Sequence, residues 1–309
     1  MLIEIIVLIL ALSLLVISAD KFTDGAEKIA LALGIPHFII GVTIVSVGTS
    51  LPELATAFFS VMSGDPNAST IIAGNVIGSN VANIALVLGA AIILIYSKRI
   101  QWDILKVDLP LLLGTAFFLY FTALDGVFSF NEAVIAFIFY AVYIEYSIST
   151  RKKREKKARD NVDTSSIAYV LLGAIGIYFG AQYTVESVIG LANILQISPS
   201  LIAVSAVAIG TSLPELVVSV TAARKNNIEM AVGNVTGSNI FNALIVMGAP
   251  AMLVDIPIDA SMQAIGIPFM IAVTLLLVVV GADKEFGKYE GAMFLILYGL
   301  FLALLFGFV

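Results

Sequence analysis

Long apolar stretches of similar length alternate with short polar breaks along the whole chain. They fall at about residues 3–19, 38–62, 69–95, 107–124 and 131–149, and again at about 166–194, 198–222, 228–253, 261–282 and 289–309. A bilayer core of about 30 Å takes roughly 20 apolar residues of α-helix, so each stretch predicts one crossing. The pattern predicts an all-α integral membrane protein with ten transmembrane helices. The run Ile5 to Val16, followed by Ser18 and Ala19, has the look of a signal peptide. Glu4 stands where the basic leader of such a peptide belongs, so the segment is expected to stay as the first span.

Composition agrees and narrows the chemistry. The chain is 60% hydrophobic and 12% charged, against about 25% charged in a soluble domain. It has no cysteine and one histidine, His37. Disulfides, thiolate metal sites and His-rich zinc or copper sites are thereby excluded, and oxygen donors remain, which suit hard cations such as Na⁺ and Ca²⁺. An intramembrane hydrolase would need a nucleophile–base pair or a catalytic metal. With no cysteine and His37 at a predicted membrane edge, the chain is not expected to be an enzyme.

Charge fixes the orientation. With the N-terminus outside and ten crossings, all 16 basic residues fall on one side: Lys21, Lys28, Lys98, Arg99, Lys106, the cluster from Arg151 to Arg159, Arg224, Lys225, Lys284 and Lys288. The loops near Asp65, Asp125, Gln196 and Asp255 carry none. The positive-inside rule makes the basic side cytoplasmic. Both termini are then outside a plasma membrane, and residues 151–165 form a cytoplasmic linker between halves 1–150 and 166–309. Asp108, Asp125 and Glu132 lie near span ends and are expected as solvated caps.

The halves repeat each other. GTSLPEL occurs at Gly48–Leu54 and at Gly210–Leu216, and each copy is followed by a second motif, GNVIGSNVAN at Gly74–Asn83 and GNVTGSNIFN at Gly233–Asn242. Two ordered motifs in duplicate make a true internal repeat. Each half holds five predicted spans, an odd number, so the second repeat enters the membrane inverted. Inverted repeats are a mark of secondary transporters, with the substrate site near the midplane between the repeats.

The repeated motif carries the chemistry. Glu53 and Glu215 sit within apolar spans, where a carboxylate costs about 2.5 kcal/mol or more, and no lysine or arginine lies at their depth. A bound cation or protons would supply the missing charge. Pro52 and Pro214 lack an N–H, which predicts helices broken around Ser46 to Thr49 and Ala208 to Thr211, with carbonyls released as ligands. Ser46, Thr49, Ser50 and Glu53 share one helical stripe, as do Thr211, Ser212 and Glu215. Ser79 and Asn83 are four apart, as are Ser238 and Asn242. The GxxxG spacings Gly74–Gly78 and Gly233–Gly237 predict close helix packing.

These motifs closely resemble those of the calcium/cation antiporter superfamily, and within it the prokaryotic sodium/calcium exchangers. The stretches 46–83 and 208–242 look like that family's two alpha repeats. The resemblance implies that Na⁺ entering down its gradient drives Ca²⁺ the other way by alternating access, with no permanent cofactor, no nucleic-acid partner, and the bilayer and the two ions as the only partners of a functional monomer. It implies metal ligation by Glu53, Glu215, Asn83 and Asn242, by the hydroxyls of Ser50, Ser79, Ser212 and Ser238, and mainly by backbone carbonyls at Ser46, Thr49, Ala208 and Thr211. It also implies that the first and sixth helices, near Leu2 and Ile167, slide across the core. Some members carry Asp where this chain has Asn242, so K⁺ co-transport is disfavoured, and exchange at about three Na⁺ per Ca²⁺ is the family expectation. A proton/calcium exchanger of the same superfamily and, further off, a cation channel are the alternative readings.

Overall fold

In hydrocarbon every backbone N–H and C=O must be satisfied within the chain, which the predicted spans achieve as helices. The computed structural model describes residues 2–62, 68–95, 98–152, 162–194 and 212–307. In chain order its helices are α1 (Leu2–Leu33), α2 (His37–Met62), α3 (68–93), α4 (Asp108–Thr122), α5 (Phe130–Lys152), α6 (Thr164–Ile194), α7 (Leu213–Arg224), α8 (Ile228–Ala251), α9 (Met262–Asp283) and α10 (Lys288–Leu305). Seven are long and apolar enough to cross a membrane: α1, α2, α3, α6, α8, α9 and α10. Helix α4 is apolar but shorter, and α7 is the described end of the stretch expected at 198–222. Most of the basic linker lies outside the described residues.

Two features depart from the hydropathy pattern. Helix α1 does not stop near residue 19 but runs for 32 residues, about 48 Å at 1.5 Å per residue. Its polar second half is held by ion pairs from Lys225 to Asp20 and Asp24 and by Lys21 and Lys28 over the Tyr169 ring. Asp108, expected as a solvated cap, is fully buried and accepts a hydrogen bond from Trp102 Nε1 at 2.9 Å. Glu132 does cap, accepting from Ser129 N at 2.6 Å.

The helices pack in a crosswise scheme. Helix α8 lies against α2, and α7 lies against the second part of α3. Helix α5 packs on the end of α8, α10 on the end of α3, α4 on α9, and α1 along α6. Two short antiparallel ribbons follow the same exchange: β1 (Lys98–Arg99) pairs with β4 (Glu285–Phe286), and β2 (Val127–Phe128) with β3 (Ile256–Pro257). Helix α8 is buried along almost its whole length, while α1, α6 and α10 are largely exposed, so α8 is central and these three are peripheral. The α1–α6 contact is close because α6 presents glycines: a Cβ on Gly173 or Gly180 would meet the backbone of Phe22 or Leu15 within 3 Å.

The expected break at the first proline is absent. Ser46–Met62 continues as one α-helix through Pro52. The irregularity sits earlier, as a π segment at Gly41–Val45, with others at Asn83–Leu88, Asn242–Val246 and Met262–Gly266. A π turn inserts a residue without ending the helix, so the chain keeps its backbone bonds where a true break would leave them unmade. In the second copy Pro214 occupies the first turn of α7, where a missing N–H is harmless.

Candidate functional site

The helical period places Ser46, Thr49, Ser50 and Glu53 on one face of α2, each at most 1% exposed. Glu215, in the first turn of α7, is wholly buried, as are Asn83, Ser238 and Asn242; Ser79 and Ser212 are buried almost as completely. Ala208 and Thr211 lie outside the described residues.

The two motif copies meet. Ser50 Oγ donates to Glu215 Oε1 at 3.0 Å. Thr49 Oγ1 donates to Asn234 Oδ1 at 3.2 Å and lies 3.5 Å from Ser238 Oγ. Asn234 Nδ2 donates to Ser219 Oγ at 3.0 Å. These contacts join α2, α7 and α8 through side chains alone. On α3, Ser79 Oγ donates to Asn75 Oδ1 at 3.4 Å. Asn83 and Asn242, at matching places in the repeat, each begin a π segment.

Many of these polar atoms have no partner. Both oxygens of Glu53, Oε2 of Glu215, the whole side-chain amides of Asn83 and Asn242, and Ser212 Oγ are buried without a hydrogen bond among the described residues. One such orphan costs about 1–3 kcal/mol, and native interiors hold few of them. No lysine, arginine or histidine is buried among the described residues to balance the carboxylates. The ion pairs formed by Lys106 and Lys284 lie just beyond helix ends, and those of Lys225 join the end of α7 to Asp20 and Asp24 in the second half of α1. No group of three or more His, Cys, Asp and Glu occurs among the described residues either. The cluster therefore offers two carboxylates, amides and hydroxyls, an oxygen set suited to a hard cation.

Close backbone approach supports the cluster. A Cβ on Gly233 would fall 2.3 Å from Phe38 O, and one on Gly237 would fall 2.5 Å from Val42 O. The second GxxxG pair thus packs as expected, α8 against α2. A Cβ on Gly74 or Gly78 meets nothing among the described residues.

Spacing arguments passed over Asn75, Asn234 and Ser219. The signal was present for the first two. Asn75, Ser79 and Asn83 form a stripe with steps of four, and Asn234, Ser238 and Asn242 repeat it. Extending the stripe one turn back from the serines finds both asparagines.

The sequence model of the sodium/calcium exchanger protein family matches residues 3–149 and 165–307. The sodium/calcium exchanger MaX1 of Methanosarcina acetivorans is 32% identical, over 97% of this chain and 98% of that protein. An uncharacterized membrane protein of Methanocaldococcus jannaschii is 33% identical over 94% of each chain. Among solved structures, the sodium-calcium exchanger NCX_Mj soaked with Na⁺ and Ca²⁺ superposes with a TM-score of 0.85 at 31% identity, over 97% of this chain and 98% of that one. The chain is an integral multi-pass membrane transporter, not an enzyme, and it belongs to the sodium/calcium exchanger family.

Proposed function

We propose that this protein exchanges Na⁺ for Ca²⁺ across the plasma membrane by alternating access, through one central site between two inverted five-helix repeats. Glu53 and Glu215 supply the charge. Asn83, Asn242, Ser50, Ser79, Ser212 and Ser238 supply side-chain oxygens, and the chain around Ser46, Thr49, Ala208 and Thr211 supplies carbonyls. The observation that carries this reading is the orphaned state of both Glu53 oxygens, both amides and Glu215 Oε2 in a buried volume without a basic group among the described residues. A cation satisfies all of the oxygens among them at once.

The inverted repeat draws support from the exchange of partners. The ribbon after α3 pairs with the one before α10, and the ribbon after α8 pairs with the one before α5. Each pairing is the other with the halves swapped, as a pseudo-two-fold axis in the membrane plane requires. Ten spans follow, with α4, α5 and the segment ending in α7 as the three beyond the seven long apolar helices. Both termini are then outside and the basic linker cytoplasmic.

Two carboxylates balance one Ca²⁺ or two Na⁺. Exchange of about three Na⁺ for one Ca²⁺, which rests on family resemblance rather than on this charge count, moves net charge. Reconstituted protein should take up radiolabelled Ca²⁺ under an outward Na⁺ gradient and not under a pH gradient alone, with a rate that depends on voltage and a reversal potential set by the Na⁺ and Ca²⁺ gradients. Uptake driven by the pH gradient would favour the proton/calcium alternative, and voltage-independent exchange would defeat the stoichiometry.

A further inference from the structure

One polar pair beside the site touches neither carboxylate. Asn80 Nδ2 donates to the backbone carbonyl of Asn239 at 3.2 Å, and Asn239 Nδ2 donates to the backbone carbonyl of Asn80 at 3.0 Å. The residues are 159 apart yet occupy the same place in GNVxGSN. Both are buried, at 3% and 1% exposure. Asn80 Nδ2 also lies 3.8 Å from Met270 Sδ, so this side chain faces the packing against α9 and not the carboxylates. The Oδ1 atoms of both have no hydrogen-bond partner among the described residues. Each amide is thus engaged through its nitrogen alone, in the tie between α3 and α8.

We infer that Asn80 and Asn239 are positioning residues, forming a reciprocal clamp that fixes the separation and register of α3 and α8 and thereby the width of the ion site. Each directly follows a serine of the site, Ser79 or Ser238, and precedes by three residues the asparagine that begins a π segment, Asn83 or Asn242. Apolar contacts alone would let two helices slide with little penalty, whereas two bonds related by exchange of partners are both broken by a shift of a single turn, about 5.4 Å. Each bond ends on a backbone carbonyl next to a site residue, so the clamp acts on the frame from which those side chains project. Selection between cations of one charge but different radius depends on how rigidly the oxygen cage holds its size.

The inference rests on the proposed ion site and is tested separately from it. Reconstituted Asn80→Ala, Asn239→Ala and Asn80→Leu are compared with wild type for Na⁺-driven uptake of Ca²⁺ and of the larger Ba²⁺, separating KM from kcat. The expected result is a loss of about tenfold in the Ca²⁺ over Ba²⁺ preference, mainly through KM, in all three variants. The leucine variant keeps the volume and removes the donor, so a packing role alone would leave it like wild type. Wild-type exchange together with unchanged ion preference in Asn80→Leu, or in both alanine variants, overturns the clamp and leaves the ion site standing. A wild-type chain that transports neither ion overturns the site and the clamp together.

Discussion

Ser50, in the first motif, donates a hydrogen bond to Glu215, in the second, across 3.0 Å. The bond ties two segments that lie 165 residues apart into one buried cluster. A hydrogen bond to a charged acceptor contributes about 1.5–3 kcal/mol. Ser50→Ala should therefore raise KM for Ca²⁺ roughly tenfold to a hundredfold, while Ser50→Thr, which keeps the hydroxyl, should retain most activity. Initial rates of Na⁺-driven uptake in proteoliposomes check both.

Neutralising either carboxylate should act with opposite sign on stability and on transport. Glu53→Gln and Glu215→Gln each remove one of the two buried carboxylates of the site, which no buried basic residue balances among the described residues. Without ions the variants should melt at or above the wild-type temperature, because a buried charge has been removed. Transport should fall by about a hundredfold or more, and Ca²⁺ should lose the rise in Tm it gives the wild type. Thermal shift with and without Ca²⁺ reads the signs; a variant that melts lower without ions and keeps its Ca²⁺ response would contradict them.

Lys225 ties the second half of α1 to the end of α7. Its Nζ lies 2.7 Å from Asp20 Oδ1 and 2.6 Å from Asp24 Oδ1. Partial burial pushes its pKa down, but the hydrogen bonds to Asp20 and Asp24 outweigh that and hold it above the ordinary lysine value. The stabilisation is therefore fully present below the ordinary value of about 10.5 and lost as pH rises through the raised one. The two aspartates are 35–47% exposed and the lysine 23%, so water screens the pairs in part and Lys225→Met should lower stability by about 1 kcal/mol at neutral pH. Melting curves should show that difference shrink at strongly alkaline pH.

Gly237→Ala should damage the site through packing. Its Cβ would lie 2.5 Å from Val42 O and as near to Ser46 Oγ, so α2 and α8 must separate. Overpacking of this kind costs about 1–3 kcal/mol. Gly299, on α10, has nothing within 4 Å of an added Cβ, and Gly299→Ala should be neutral or slightly stabilising. Denaturation in detergent distinguishes the two.

Apart from α1 and α7, hydropathy located the described helices to within a few residues, because burial in hydrocarbon is a property of composition over many positions. It failed for α1, where Asp20, Asp24 and Lys28 interrupt the apolar run while ion pairs and ring contacts carry the helix on. It failed for Asp108, whose partner Trp102 lies on the preceding loop and leaves no trace in the local pattern. The motif brought Ser50 and Glu215 into view, but not the π segments that begin at Asn83 and Asn242. A proline signals a missing N–H, and not how the neighbouring turns adjust to it. Asn80 and Asn239 stood inside the quoted motif, yet their bond to one another is a fact of helix crossing that no single helix face displays.

The central claim is that Glu53 and Glu215 share a transported cation. Anomalous diffraction from crystals soaked in Sr²⁺, used in place of Ca²⁺, tests it directly. A single strong peak within coordination distance of both carboxylates, about 2.3–2.6 Å for Ca²⁺ and slightly longer for Sr²⁺, is the predicted result. Carboxylates far apart, turned to lipid or paired with a basic side chain, and a peak elsewhere, would contradict it.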